Sequence, residues 1–373
     1  MSKRIAVLPG DGSGREVVPE ALKVLRALTL PLEFEQFEVG AEPFLRGEPP
    51  LGDAAFRGAQ ESDAILFGAV GDPRIADPQY QNDVILALRF RLDLYVNLRP
   101  ARLYDDRLSP YRDAARRGID LLIVRENSEG PYVGAGGRFR PGTEHEVAVQ
   151  EDINTYGGVS RILRHAFTRA RREVCLVDKS NALRHAGSLW QERWEAIRAE
   201  HAGVRTRHLY VDACAFELVR DPTQFDVIVT GNLFGDVLSD LTAGLIGGIG
   251  LAPSANVNPE TGRGLFEPIH GSAPTIAGQG IVNPAGAILS SALLLEHVGF
   301  ADAGARVETR RPLAALALRR PRRHRRERRL RAHPWRLVLV RGPGTPETRS
   351  RSASRHVARR SGPPPTRRPP PGA

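Results

Sequence analysis

Short runs of wholly apolar residues recur along this chain with amphipathic stretches between them, and that alternation restricts the available folds more than any other feature. Ile5–Leu8, Ala64–Phe67, Leu121–Val124, Val174–Val177 and Val227–Val229 show no polar alternation, so each reads as a strand buried on both faces. Glu16–Leu28, Val159–Arg171 and Leu189–Glu200 space their apolar residues at helical intervals. Strands without a wet face need cover on both sides, and the intervening helices supply it, so the expected class is α/β. A chain of 373 residues is long enough for two core-bearing domains, and no apolar run is long enough to cross a membrane. The two cysteines, Cys175 and Cys214, lie in apolar stretches and read as reduced, buried residues, which fits a cytoplasmic protein.

The formal charge of +10 is unevenly placed. From Thr309 onward 20 arginines stand against two glutamates, so that segment carries +18 and residues 1–308 carry −8. The body is thus mildly acidic, and the excess positive charge belongs to residues 309–373, which are rich in arginine and proline and cannot bury a face. The tail is expected to be disordered or a frameshifted reading, with Trp335–Val340 able at most to form a short strand. Its arginines raise nucleic-acid binding as a reading of another class. One aromatic residue, Trp335, and no reader motif weigh against it.

Several segments carry candidate chemistry. Gly10-Asp-Gly-Ser-Gly14 lacks the glycine spacing of the dinucleotide fingerprint, and reads first as a strand-to-helix turn, second as a phosphate cradle. Asp236 and Asp240 are four apart after the strand ending at Val229, so on a helix their carboxylates share a face. A cation would relieve their repulsion, although a solvated helix face fits such a pair equally well. Asp212 follows the strand-like Arg207–Val211 and adds a third carboxylate, and oxygen ligands of this kind suit Mg²⁺ or Mn²⁺. Arg89, Arg99 and Arg125 form the basic counterpart. The last two end strand-like runs, where α/β proteins open their ligand crevice, and guanidinium forks grip carboxylates in pairs. Singly, each arginine is more often a surface ion pair. Lys179, just past a buried strand, could act as a base and Tyr132 as a proton donor, or both could be structural. Gly264–Pro274 and Asn283 read as a polar, glycine-broken loop before a helix, with backbone N–H groups that could hold a pyrophosphate.

Together these segments resemble the β-decarboxylating dehydrogenases, which act on isopropylmalate, isocitrate, homoisocitrate or tartrate. Leu-Pro-Gly-Asp-Gly, Asn-Leu-Arg-Pro, Val-Arg-Glu-Asn-Ser-Glu-Gly, Asp-Lys-Ser-Asn, Gly-Asn-Leu-Phe-Gly-Asp-Val-Leu-Ser-Asp and His-Gly-Ser-Ala-Pro all carry the likeness, which runs from Ile5 to about Val307. The resemblance implies an isopropylmalate dehydrogenase-like two-domain α/β fold that is not a Rossmann fold. It divides the chain into a first, NAD-side domain of residues 1–94 and 245–308 and a second domain of residues 95–244 for dimerisation and metal binding. It implies metal binding by Asp212, Asp236 and Asp240, and substrate binding by Arg89, Arg99 and Arg125. Tyr132, Lys179 and Asp212 become catalytic. NAD is assigned to His270, Gly271, Ser272, Ala273, Pro274 and Asn283. It also implies a homodimer in which each site borrows the lysine and one metal aspartate from its partner.

Ile85 and Leu86 are expected to face the substrate's third substituent. An apolar pair there suits an isopropyl group, whose burial is worth roughly 2 kcal/mol, so the expected substrate is 3-isopropylmalate. Homoisocitrate, isocitrate and tartrate are the alternatives within the family, and an inactive product is the alternative outside it. Two departures stand out. Thr275 occupies a position where NAD-using members usually have an aspartate for the adenosine ribose, which predicts weaker NAD binding, while Ile276 and the lack of a nearby cation argue against NADP. The arginine tail also replaces the structure that completes the family's first domain, which predicts exposed apolar surface and reduced stability.

Overall fold

A computed structural model describes residues 2–77 and 79–308. The expectations for residues 309–373 lie outside the described residues. Twelve strands are described: β1 (Lys3–Gly10), β2 (Leu32–Gln36), β3 (Ala64–Ala69), β4 (Val96–Arg102), β5 (Asp120–Glu126), β6 (Gly136–Phe139), β7 (Val147–Gln150), β8 (Glu173–Asp178), β9 (Arg205–Tyr210), β10 (Val227–Thr230), β11 (Pro253–Asn258) and β12 (Arg263–Pro268). The helices are α1 (Gly14–Ala27), α2 (Ala41–Leu45), α3 (Asp53–Glu61), α4 (Gln79–Arg91), α5 (Tyr156–Arg169), α6 (Arg184–Ala199), α7 (Val211–Arg220), α8 (Asn232–Leu245), α9 (Ala285–His297) and α10 (Ala301–Val307).

Ten strands form one sheet in the order β2-β1-β3-β12-β11-β4-β5-β10-β8-β9, and β6 and β7 pair as a separate hairpin. The outer strands run parallel, whereas β11 is antiparallel to both β12 and β4, and β4 is antiparallel to β5. The five apolar runs became β1, β3, β5, β8 and β10, and the three amphipathic stretches became α1, α5 and α6. The strands' apolar character follows from their double cover; every residue of β3 is buried. The centre of the sheet departs from expectation. Gly264–Pro268, read as loop, belongs to strand β12, because Leu265 and Phe266 are both buried in the core and Glu267 finds internal partners.

Strand periodicity sorts the centre of the sheet into two unlike faces. On one face Val96, Leu98, Val124, Ala255, Val257 and Phe266 join a single continuous core with α1, α5, α6 and α9. On the other face the apolar packing is split. Ala6, Leu8, Ile65, Phe67 and Leu265 pack under α3 and α4. Leu121, Ile123, Cys175, Val177 and Ile228 pack under α7 and α8. Between these two cores, β4, β11, β5 and β12 present Asn97, Arg99, Ser254, Asn256, Arg125 and Glu267, all buried. A polar seam therefore lies between the two apolar cores on that face.

Candidate active site

The seam gathers the three arginines. Arg99 and Arg125 come from β4 and β5, on strand positions that share the split face, and Arg89 comes from the last turn of α4. Arg125 is 2% exposed, Arg99 6% and Arg89 9%. Burial, with Arg125 and Arg89 close by, weakens the hold of Arg99 on its proton, and burial acts on Arg125 in the same sense. Three buried cations this close create a strong demand for anionic charge.

Part of that demand is met within the chain. Arg89 Nη2 donates to Glu267 Oε1 at 2.8 Å, while its buried Nε has no partner among the described residues. Arg125 Nε donates to Asn232 Oδ1 at 2.9 Å and its Nη1 pairs with Asp236. Arg99 Nη2 lies 4.0 Å from the same Asp236 carboxylate, and Arg99 Nη1 donates to Ser239 Oγ at 3.3 Å. Tyr132 completes this corner: its hydroxyl donates to Asp236 Oδ2 at 3.0 Å, and its ring faces the Arg125 guanidinium. Burial and the Asp236 charge together raise the Tyr132 pKa.

Asp236 and Asp240 lie one turn apart on α8. Burial pushes Asp236 upward, but Arg125 and Arg99 outweigh it and the net pKa is lowered. Burial and the Asp236 charge raise Asp240 instead. A divalent cation would relieve that repulsion, and two carboxylates offer the hard oxygen donors that Mg²⁺ or Mn²⁺ takes. Asp240 is exposed.

Lys179 and Asp212 form a second group. Lys179 Nζ donates to Asp212 Oδ1 at 2.5 Å and lowers its pKa, and Tyr210 lies beside the lysine. Lys179 follows β8 and Asp212 opens α7, as expected. The neighbouring Asp178 is fixed by His208, Gln191 and Ser180. Among the described residues no three potential ligands from His, Cys, Asp and Glu gather in one place, so the chain by itself pairs Asp236 with Asp240 and leaves Asp212 with Lys179.

The segment assigned to NAD rests on the turn before α1. Ser13 Oγ donates to the Gly271 carbonyl at 2.8 Å, and Ser13 N to the Ser272 carbonyl at 2.8 Å. Gly12 has positive φ, and a Cβ there would lie 2.2 Å from the Ser272 oxygen, so the two loops touch only because this residue is glycine. Gly10–Gly14 is therefore a strand-to-helix turn that also props the second loop. Burial lowers the His270 pKa, and its buried Nε2 has no partner among the described residues. Ser272 is buried, Ala273 has positive φ, and Gly271, Pro274 and Thr275 are exposed. Asn283 Oδ1 accepts from Ala285 N, the first N–H of α9, at 3.0 Å. Of the substrate pair, Ile85 packs partly against the α3–α4 core, whereas Leu86, half-buried, joins none of the three cores.

Glu267, Asn97, Asn256, Asn232 and Ser239 were not singled out from sequence. The first three share the strand alternation that carries Arg99, and that period-2 signal was available once β11 and β12 were recognised as strands.

A profile of the family described as isocitrate/isopropylmalate dehydrogenase matches residues 4–312. The 3-isopropylmalate dehydrogenase of Rhodococcus opacus (strain B4) is 47% identical over 310 residues, covering 82% of this chain and 92% of that protein. That of Thermobifida fusca (strain YX) is 47% identical over 314 residues, covering 82% and 89%. Among solved structures, the isocitrate dehydrogenase from Methylococcus capsulatus superposes with a TM-score of 0.77 at 36% identity, covering 85% of this chain and 91% of that one. A β-decarboxylating dehydrogenase from Thermococcus kodakarensis gives 0.68 at 38% identity, covering 85% and 87%.

Proposed function

The chain belongs to the isocitrate/isopropylmalate dehydrogenase family, and from that premise we propose that it oxidises and decarboxylates 3-isopropylmalate to 4-methyl-2-oxopentanoate with NAD and a divalent cation, a step of leucine biosynthesis in the cytoplasm. The observation that carries the reading is the convergence of Arg89, Arg99 and Arg125 with Tyr132 and Asp236 on the split face of the sheet. Buried guanidinium groups with spare donors bind a diacid, and Leu86, one turn before Arg89, offers the half-buried apolar surface an isopropyl group needs.

In this reading the arginines hold the substrate carboxylates and fix the hydroxyl-bearing carbon. Asp236 and Asp240 hold the cation, with Asp212 as third carboxylate from a second subunit. The bound cation supplies polarisation of the hydroxyl and its neighbouring carboxylate, and NAD, against His270–Pro274 and Asn283, supplies the hydride acceptor. Lys179, with Asp212, takes the hydroxyl proton as hydride leaves the same carbon. The β-carboxylate departs as CO₂, and Tyr132 returns a proton to the carbon it leaves.

Asp212 joins no three-ligand group with Asp236 and Asp240 among the described residues, which supports a homodimer with shared sites. So do the apolar residues left exposed on α7 and α8, Phe216, Val219, Leu233 and Val237, and on the β6–β7 hairpin, Phe139 and Val147. The division into residues 1–94 with 245–308 and residues 95–244 belongs to the same proposal, with the two packing groups on the split face as support. The test is NADH formation with 3-isopropylmalate, isocitrate, homoisocitrate and tartrate, with and without Mn²⁺. Preference for 3-isopropylmalate in the presence of the metal is expected; turnover of none of the four overturns the reading.

A further inference from the structure

Two of the substrate arginines are joined by a line of buried amides. Arg99 Nε donates to Asn97 Oδ1 at 2.8 Å, Asn97 Nδ2 donates to Asn256 Oδ1 at 2.8 Å, and Asn256 Nδ2 donates to Glu267 Oε1 at 2.9 Å. The same Glu267 oxygen receives Arg89 Nη2 at 2.8 Å. Asn97 and Asn256 are fully buried, and Glu267 is nearly so.

The direction of this line is forced from both ends. A guanidinium only donates, so Asn97 must turn its oxygen toward Arg99 and its NH₂ toward Asn256. An ionised carboxylate only accepts, so Asn256 must turn its NH₂ toward Glu267. The two requirements meet between the asparagines without conflict. Side bonds then use every remaining valence. Asn97 Oδ1 also accepts from Ser254 Oγ at 3.2 Å, and its Nδ2 also reaches Asn127 Oδ1 at 3.1 Å. Asn256 Oδ1 also accepts from Asn127 Nδ2 at 3.0 Å, and its Nδ2 approaches the Leu265 carbonyl at 3.3 Å. Neither amide can rotate without leaving buried donors facing donors, and both side chains are closed to bulk solvent.

We propose that Asn97 and Asn256 are positioning residues, which orient the Arg99 and Arg89 guanidinium planes through this one-way amide relay and so couple the two grips on the diacid. The proposal rests on the reading that Arg89 and Arg99 hold the substrate. Neither asparagine belongs to the set that touches it. The relay spans β4, β11 and β12, so a shift of one guanidinium on loading is passed along fixed hydrogen bonds to the other.

The test is Asn256→Asp. Aspartate keeps the shape of asparagine but sets an acceptor against the Glu267 oxygen where a donor stood. The KM for the diacid is expected to rise about tenfold or more, with kcat falling less than about threefold. An Asn256→Asp protein that melts normally and keeps the parent KM overturns the relay. If the single variant does not fold, the unmutated protein decides the matter by NMR. The Asn256 side-chain amide resonance is expected to shift on titration with 3-isopropylmalate, and an unmoved resonance during saturable binding overturns the relay. Failure of the parent to turn over any diacid is a separate result, and counts against the proposed function instead.

Discussion

Replacing Gly235 with alanine should damage substrate binding at least as much as stability. Gly235 lies in the first turn of α8, and a Cβ there would sit 2.6 Å from Arg125 Cγ, 2.7 Å from its Cβ and 3.0 Å from its Cδ. Non-bonded carbons rest about 3.5–4.0 Å apart, so something must move by about 1 Å. The Arg125 backbone cannot yield, because β5 is held by β4 on one side and β10 on the other. The displacement passes instead to the guanidinium, tearing at its bonds to Asn232 and Asp236. Overpacking costs about 1–3 kcal/mol, and the better helix propensity of alanine offsets about 0.5–1 kcal/mol of it. A misaligned guanidinium forfeits a charge-assisted bond worth about 1.5–3 kcal/mol, or roughly tenfold to a hundredfold in affinity. The assay is NADH absorbance at saturating NAD and Mn²⁺ with varied 3-isopropylmalate, alongside a thermal melt. A KM within about twofold of the parent would refute the argument that Arg125 grips the diacid along a path Gly235 keeps open.

Lys179→Gln should cut kcat by about 10²–10⁴-fold, the usual range for lost proton transfer, with melting unchanged; a variant with kcat near the parent value removes the lysine from the chemistry. Chelation with EDTA should abolish turnover and Mn²⁺ restore it, with Asp240→Asn needing about tenfold more metal for half-maximal rate, and metal-independent activity would contradict the carboxylate assignment. Glu126, buried beside Arg125, has its pKa raised to about 7 by loss of solvent. Its folded form holds the proton more tightly than the unfolded chain, so its contribution is fully present below pH 4.5 and is lost as pH rises toward 7. Melting temperature should therefore fall across that window in the parent and fall less in Glu126→Gln; identical slopes dismiss the group as a contributor. Thr275→Asp should lower the KM for NAD by about threefold to tenfold, since a carboxylate accepts both ribose hydroxyl protons where one hydroxyl cannot; no change means the ribose lies elsewhere.

The outer parts of the sheet were legible in the sequence because parallel strands buried on both faces leave uninterrupted apolar runs, as in Ile5–Leu8 and Val174–Val177. The centre was not, for a physical reason. There β11 and β12 carry Asn256, Glu267 and Ser254 inward, so their composition looks like that of a loop until the partners of those groups are known. The individual site residues were legible by type and in part by position: Arg125 near the end of β5, the i,i+4 aspartates on α8, the lysine after β8; Arg99, expected at a strand end, lies mid-strand in β4. Their grouping was not. Nothing local to Tyr132 announces its bond to Asp236, and nothing in the spacing of Lys179 and Asp212 says that they pair with each other. Such pairings depend on long-range register, which one sequence does not reveal.

The unlike faces of the central sheet also have a mechanical meaning. The continuous apolar layer beneath α1, α5, α6 and α9 works as the spine of a book, and the two packing groups opposite are its covers. The gutter between the covers is instead crossed by polar bonds of fixed direction, and the hydrophobic binding of the volume runs unbroken beneath it.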